Sequence, residues 1–199
     1  MSRDVRALTH RIAALLLDYP TAELVAQVPD LRAVAPTRAF DPLLDHLEGA
    51  PLTALTAEYV DTFDLRRKVC LYLTYYAYGD TRERGMALLA FKRAYRASGL
   101  EVSPDELPDH LCVVLEFSAT EDVEAGTRLL LEHRAGLELL RLALVDRGSP
   151  WAAALTAVCS TLPALRGDER EAVARLAAEG PPGERVGLEP YGAMAAVPR

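Results

Sequence analysis

A chain of 199 residues, half of them hydrophobic and 26% charged, can bury about 70% of its unfolded surface in one core. That excludes a disordered chain and removes any need for disulfides or a structural metal. The 29 acidic against 22 basic residues give a net charge of −7, which disfavours gripping a phosphate backbone and argues against nucleic acid as a partner. A cationic peptide would instead be steered in, less so as salt rises.

In chain order, Val5, Leu8, Ile12, Leu15 and Leu16 share one helical face, and Asp18-Tyr19-Pro20 stops that helix. The apolar run Ile12 to Leu17 is too short to span a membrane and has no small-residue cleavage site after it. Cys70, Cys112 and Cys159 form no Cys-x-x-Cys pair and leave an odd thiol. A reducing, cytoplasmic setting without membrane insertion is therefore the expectation.

Prolines 20, 29, 36, 42 and 51 divide the next segment into short helices over roughly 21–28, 38–48 and 52–61. From Leu65 to Tyr78 apolar residues run almost all round, which predicts a central buried helix capped by Gly79. Asp80 or Thr81 then caps a helix with Leu88, Phe91 and Tyr95 on one face and Gly99 at its end.

After a polar loop, Pro108-Asp109 introduces a helix from His110 to Ala119. Leu130, Leu137, Leu140 and Leu144 mark the core side of one long helix from Val123 to Asp146. Ser149-Pro150 reads as the start of another, and a last helix covers Asp168 to Glu179. The final twenty residues hold four glycines and four prolines, which predicts an irregular tail over 181–199 beside a helical domain over 1–180. The fold class is all-α, a single globule of about eight to ten helices.

Three clusters are candidate sites. Tyr72, Tyr75, Tyr76 and Tyr78 put four rings on one segment; they suit a peptide groove, or simply fill the core with their hydroxyls reaching solvent. In Asp61-Thr-Phe63-Asp64-Leu-Arg66-Arg67-Lys68, Asp64 and Lys68 form a favourable i, i+4 pair, while Asp61 and Asp64 could face arginines of a bound peptide. In Glu106-Leu107-Pro108-Asp109-His110, Asp109 can cap the following helix. There the helix dipole disfavours a charged His110 and nearby carboxylates favour it, so the direction of any pH dependence stays open.

His10, His46, His110 and His133 sit on separate segments without zinc-ligand spacing. No nucleophile elbow or phosphate loop occurs, and Asp109 and His110 leave the helix on different sides. Neither a metal site nor a bound cofactor is expected, nor is an enzyme, although a Ser-His-Asp set drawn from distant residues stays open.

The strings YVDTFD (59–64), LYLTYY (71–76), GDTRERG (79–85), LPDHL (107–111) and VVLEF (113–117) resemble the respiratory nitrate reductase delta subunit, or NarJ-type, assembly chaperones of the TorD-like family. Weaker likeness continues into Leu162-Pro163 and GLEPYGA (187–193). Cys112 departs from the proline expected there in many relatives. The resemblance implies a TorD-like all-helical chaperone, monomeric or weakly dimeric. Such a chaperone binds the N-terminal peptide of the apo nitrate reductase catalytic (alpha) subunit and permits molybdenum cofactor insertion before membrane assembly. Chaperoning another molybdoenzyme, such as a trimethylamine oxide or dimethyl sulfoxide reductase, is the alternative, followed by a non-catalytic scaffold subunit. The expected peptide contacts are Phe63, Tyr72, Tyr75 and Tyr76, framed by Asp61, Asp64, Arg67, Asp109 and His110.

Overall fold

A computed structural model describes residues 1–65, 69–101, 103 and 106–182. Arg66, Arg67 and Lys68, and with them the expected Asp64–Lys68 pair, lie outside the described residues, as does the tail from 183 onward. Among the described residues there are eleven α-helices and no strand.

The first helix, α1 (Arg3–Leu16), starts where the Ser2 hydroxyl accepts a hydrogen bond from the Val5 amide. Its buried side is Thr9, His10, Ile12, Ala13, Ala14 and Leu16, whereas Val5 and Leu8 are exposed. The expected face was thus off by part of a turn, because periodicity counts apolar residues and gives no weight to a hydrogen-bonded Thr or His turned inward. Helix α2 (Ala22–Val34), capped by Thr21, runs through Pro29 instead of ending before it. Val28 and Leu31 are buried on either side of that proline and offset the one backbone hydrogen bond it removes.

A 3-10 turn over Arg38–Phe40 leads into α3 (Asp41–Gly49). Helix α4 (Leu52–Tyr59) passes directly into a π-helical turn, Val60–Asp64. The expected helix from Leu65 to Tyr78 is a correction: only Leu73–Tyr78 is helical, as α5. Val69 and Leu71 are buried outside any helix, and Tyr72 forms an antiparallel bridge to His110. There the Leu73 amide donates to the Asp109 carbonyl at 3.0 Å and the Leu111 amide donates to the Leu71 carbonyl at 2.7 Å. A run that is apolar all round cannot tell a buried helix from a buried extended segment, and backbone partners 36 to 40 residues away decided between them. Gly79 closes α5 with φ +56°, its amide donating to the Tyr75 carbonyl at 2.7 Å.

Next come α6 (Arg82–Ala97), α7 (Leu111–Thr120) and α8 (Val123–Glu132), the last capped by the Asp122 carboxylate accepting from the Glu124 and Ala125 amides. The chain breaks at His133 before α9 (Arg134–Asp146), so the single long helix expected over Val123–Asp146 is two. The His133 ring stacks on Phe91 of α6 with centroids 5.0 Å apart. Helix α10 (Ala152–Ser160) starts two residues beyond Pro150, and α11 (Gly167–Glu179) completes the body.

Helix α1 lies along α7, α7 along α8, and α9 packs against α5, α10 and α11. Trp151, Tyr76, Tyr95, Phe40, Phe91 and Phe117 are the largest fully buried side chains. Two glycines permit close approaches between helices. A Cβ on Gly126 of α8 would overlap Ser118 of α7, lying 2.6 Å from its Cα, and one on Gly136 of α9 would stand 2.6 Å from the Tyr76 Cβ. Gly126→Ala should therefore cost about 1–3 kcal/mol by forcing α7 and α8 apart. Urea unfolding would show this as a lower midpoint at unchanged slope.

Candidate functional site

The π turn after α4 carries Phe63 inward and leaves Asp64 and Leu65 on the surface. Phe63 packs 4.8 Å from Tyr59 and 5.8 Å from Trp151, and Tyr59 anchors that column by donating its hydroxyl to the Leu17 carbonyl at 3.0 Å. Leu65 is 72% exposed, unusual for a leucine beside a buried aromatic cluster. These residues form one wall of a cavity of about 590 Å³, completed by Cys70, Tyr72, Tyr75, Asp80 and Arg84.

The opposite wall depends on Asp109, which is fully buried at 0% exposure. Its carboxylate accepts from the Thr74 amide at 3.2 Å and from the Thr74 hydroxyl. The sequence reading had Asp109 capping its own helix; it caps the start of α5 instead, because the Tyr72–His110 bridge holds the two segments side by side. Arg84, from α6, donates Nε–H to the Thr74 hydroxyl at 3.1 Å. Its guanidinium lies 3.6 Å from Asp109, 3.7 Å from Asp80 and 5.5 Å from the centre of the Tyr72 ring. Charge pairing and cation–π contact together orient Tyr72 at the rim.

The expected site residues therefore divide. Phe63, Asp64, Tyr72 and Tyr75 line one cavity. Asp109 and His110 stand behind it, the His110 ring meeting the Tyr72 ring edge-on at 5.1 Å. Tyr76 needs correction: it is 1% exposed, with its hydroxyl accepting from the Cys70 amide and donating to the Cys70 carbonyl, both at 2.9 Å. On a helix, adjacent residues point about 100° apart, so when Tyr75 faces the cavity Tyr76 faces the core. Asp61 points elsewhere, 3.4 Å from Arg147 just past α9. Arg67 lies outside the described residues.

Sequence reasoning missed Leu65, Cys70, Asp80 and Arg84. Asp80 and Arg84 have i, i+4 spacing and could have been flagged as an ion pair; the others needed the fold.

A second cavity of about 440 Å³ lies between α1, α7 and the described residues Leu100, Glu101, Ser103 and Glu106. Leu15, Val113 and Phe117 supply its apolar side, and Asp18, Glu101, Glu106, Glu116 and Glu121 surround them. His110, edge-on to Tyr72, is influenced by Asp18 and Glu106 of this cavity. Burial lowers its pKa, while Asp18, Asp109 and Glu106 partly counteract that. Its ring is thus held toward the neutral form.

Burial raises the Cys70 pKa, so the thiol in the first cavity stays protonated near neutrality. Among the described residues no three metal-ligating side chains converge. No described helix is long and apolar enough to cross a membrane.

A family model described as "Nitrate reductase delta subunit" matches residues 30–157. The probable nitrate reductase molybdenum cofactor assembly chaperone NarJ of Bacillus subtilis (strain 168) is 32% identical over 169 residues, 81% of this chain and 92% of that protein. The nitrate reductase-like protein NarX of Mycobacterium tuberculosis (strain ATCC 25618 / H37Rv) is 45% identical over 153 residues. That match covers 75% of this chain, which spans only 23% of the length of that relative. Among solved structures, a putative redox enzyme maturation protein from Archaeoglobus fulgidus superposes with a TM-score of 0.61 at 21% identity, covering 78% of this chain and 92% of that one. This last likeness shows the shared all-helical fold.

Proposed function

The chain belongs to the nitrate reductase delta subunit family, and from that premise we propose that it is a non-catalytic assembly chaperone for a nitrate reductase. It holds the N-terminal segment of the apo catalytic subunit while the molybdenum cofactor is inserted and before the enzyme reaches the membrane. The observation that carries this reading is the cavity beside α5, where Leu65, Phe63, Tyr72 and Tyr75 offer apolar surface framed by Asp64 and Asp80. An amphipathic helix could lay its apolar face there and direct Lys or Arg at the two carboxylates.

Three or four apolar anchors at about 1.5–3 kcal/mol each, less about 2–5 kcal/mol for ordering the segment, leave an affinity that permits release. The carboxylates of the second cavity add a long-range field that speeds arrival of a cationic client at low salt. Free Cys70, Cys112 and Cys159 suit a reducing cytoplasm, and the protein works as a monomer or weak dimer.

Calorimetric titration with a peptide of the client's first fifteen or so residues tests this. Saturable binding is expected, with a scrambled peptide and the leader of a trimethylamine oxide reductase inert. Leu65→Asp and Tyr72→Ala should each weaken binding by about tenfold or more, since an anchor contributes at least 1.4 kcal/mol. Equal affinity in both folded variants would move the client away from this cavity.

A further inference from the structure

Helix α6 buries only Phe91 and Tyr95 and turns a patterned face outward. Arg82, Met86, Leu89, Arg93 and Arg96 recur at i, i+4, i+7, i+11 and i+14, which aligns them in one stripe about 21 Å long, opposite Phe91. Met86 is 65% and Leu89 44% exposed. The three arginines are exposed too, and among the described residues no ion pair or side-chain hydrogen bond engages them. Two apolar anchors between cations are what a helix needs to enter a groove with an apolar floor and an acidic rim.

The second cavity is such a groove. Leu15 and Val113 are half-buried on its apolar side, and Glu101 and Glu121 stand exposed at its edge. A copy cannot fill its own groove with its own stripe. Leu100, three residues past the end of α6, already lines that cavity, whereas Met86 lies eleven residues before the helix ends, about 16 Å back along a rigid rod. We propose that the α6 stripe of one copy docks in the α1–α7 groove of a second copy, with Met86 and Leu89 on the apolar floor and the arginines toward Glu101 and Glu121. The pairing is head-to-tail, because each copy gives one face and receives on another, so a dimer forms first and longer chains follow as concentration rises. The net charge of −7 on every copy repels at long range and keeps the association weak. No client takes part in it.

Sedimentation velocity of the full chain, from micromolar to millimolar concentration, tests this with two variants substituted only at exposed residues. Met86→Asp with Arg93→Glu removes the stripe and keeps the groove; Glu101→Arg with Glu121→Arg reverses the rim and keeps the stripe. The native chain should show a mass that rises with concentration, and each variant alone should associate at least about tenfold more weakly, as expected when one anchor or one charged edge is lost. An equimolar mixture of the two variants should regain association and stop at a dimer, because only one of its two pairings is intact. A native chain that stays monomeric throughout, a variant that associates like the native chain, or a mixture no more associated than its components would each overturn the inference. A client peptide that fails to bind would leave these results standing, since the proteins are compared without it.

Discussion

Asp109→Ala should destabilise the protein by about 3–5 kcal/mol, the cost of removing one partner from a buried charge pair. The carboxylate is completely buried and satisfies the Thr74 amide and hydroxyl while facing Arg84 at 3.6 Å. Alanine would leave the guanidinium, itself largely buried, beside a void and strip the first turn of α5 of its cap. Asp109→Asn should cost less, about 1–3 kcal/mol, because an amide oxygen still accepts from Thr74 but the charge facing Arg84 is gone.

Urea midpoints at pH 7 would order the three proteins as native, Asn, Ala. The loss should spread to function, since α5 carries Tyr75 and Tyr72 leans on Arg84. A client affinity reduced in Asp109→Asn beyond what its unfolded fraction explains would assign Asp109 to positioning the cavity wall. An Asp109→Ala protein as stable as the native one would mean that water, not Asp109, satisfies Thr74 and Arg84.

The same residue shows where sequence reasoning stops. Pro108-Asp109 at a helix start reads as a local cap, and local capping is the commonest use of such a pair. The non-local use exists because Tyr72 pairs with His110 across 38 residues, and no window of sequence contains that bridge. Where helix signals were local, they were sufficient: Gly79 as a left-handed terminator, and the Phe91–Tyr95 face of α6.

Where two local signals conflicted, packing decided. Pro29 lost to the burial of Val28 and Leu31, and the uninterrupted helix over Val123–Asp146 lost to the seat of His133 on Phe91. The candidate cavity was legible only in part. Four of the nine expected contacts, Phe63, Asp64, Tyr72 and Tyr75, converge on one cavity. Tyr76 does not, because a tyrosine-rich run reveals composition but not which rings turn inward.

The largest pH effect should come from His10, which periodicity ignored. Its ring is fully buried between α1, α7 and the end of α10. The Thr161 hydroxyl donates to the Val158 carbonyl at 2.7 Å, so it must accept from His10 Nε2–H at 2.9 Å, and His10 Nδ1 accepts from the Ser118 hydroxyl at 2.8 Å. That pattern uses the neutral ring. Burial, reinforced by the nearby Arg6 charge, lowers its pKa to about 4 from an ordinary 6.5.

Because the folded pKa lies below the unfolded one, the unfolded chain takes up the proton first as pH falls. The full stability is present above about pH 6.5 and is lost progressively toward about pH 4, where the loss levels off. The difference amounts to about 3 kcal/mol, and His110 and His133, whose pKa values burial also lowers, act in the same direction. His10→Gln keeps one acceptor for Ser118 and one donor for Thr161 without a titrating proton. Urea unfolding at half-unit steps from pH 4 to 7 should therefore show a shallower decline in the variant by about 3 kcal/mol. Parallel declines in the two proteins would assign the acid sensitivity to the other two rings or to the carboxylates, and leave His10 a purely structural hydrogen-bonding residue.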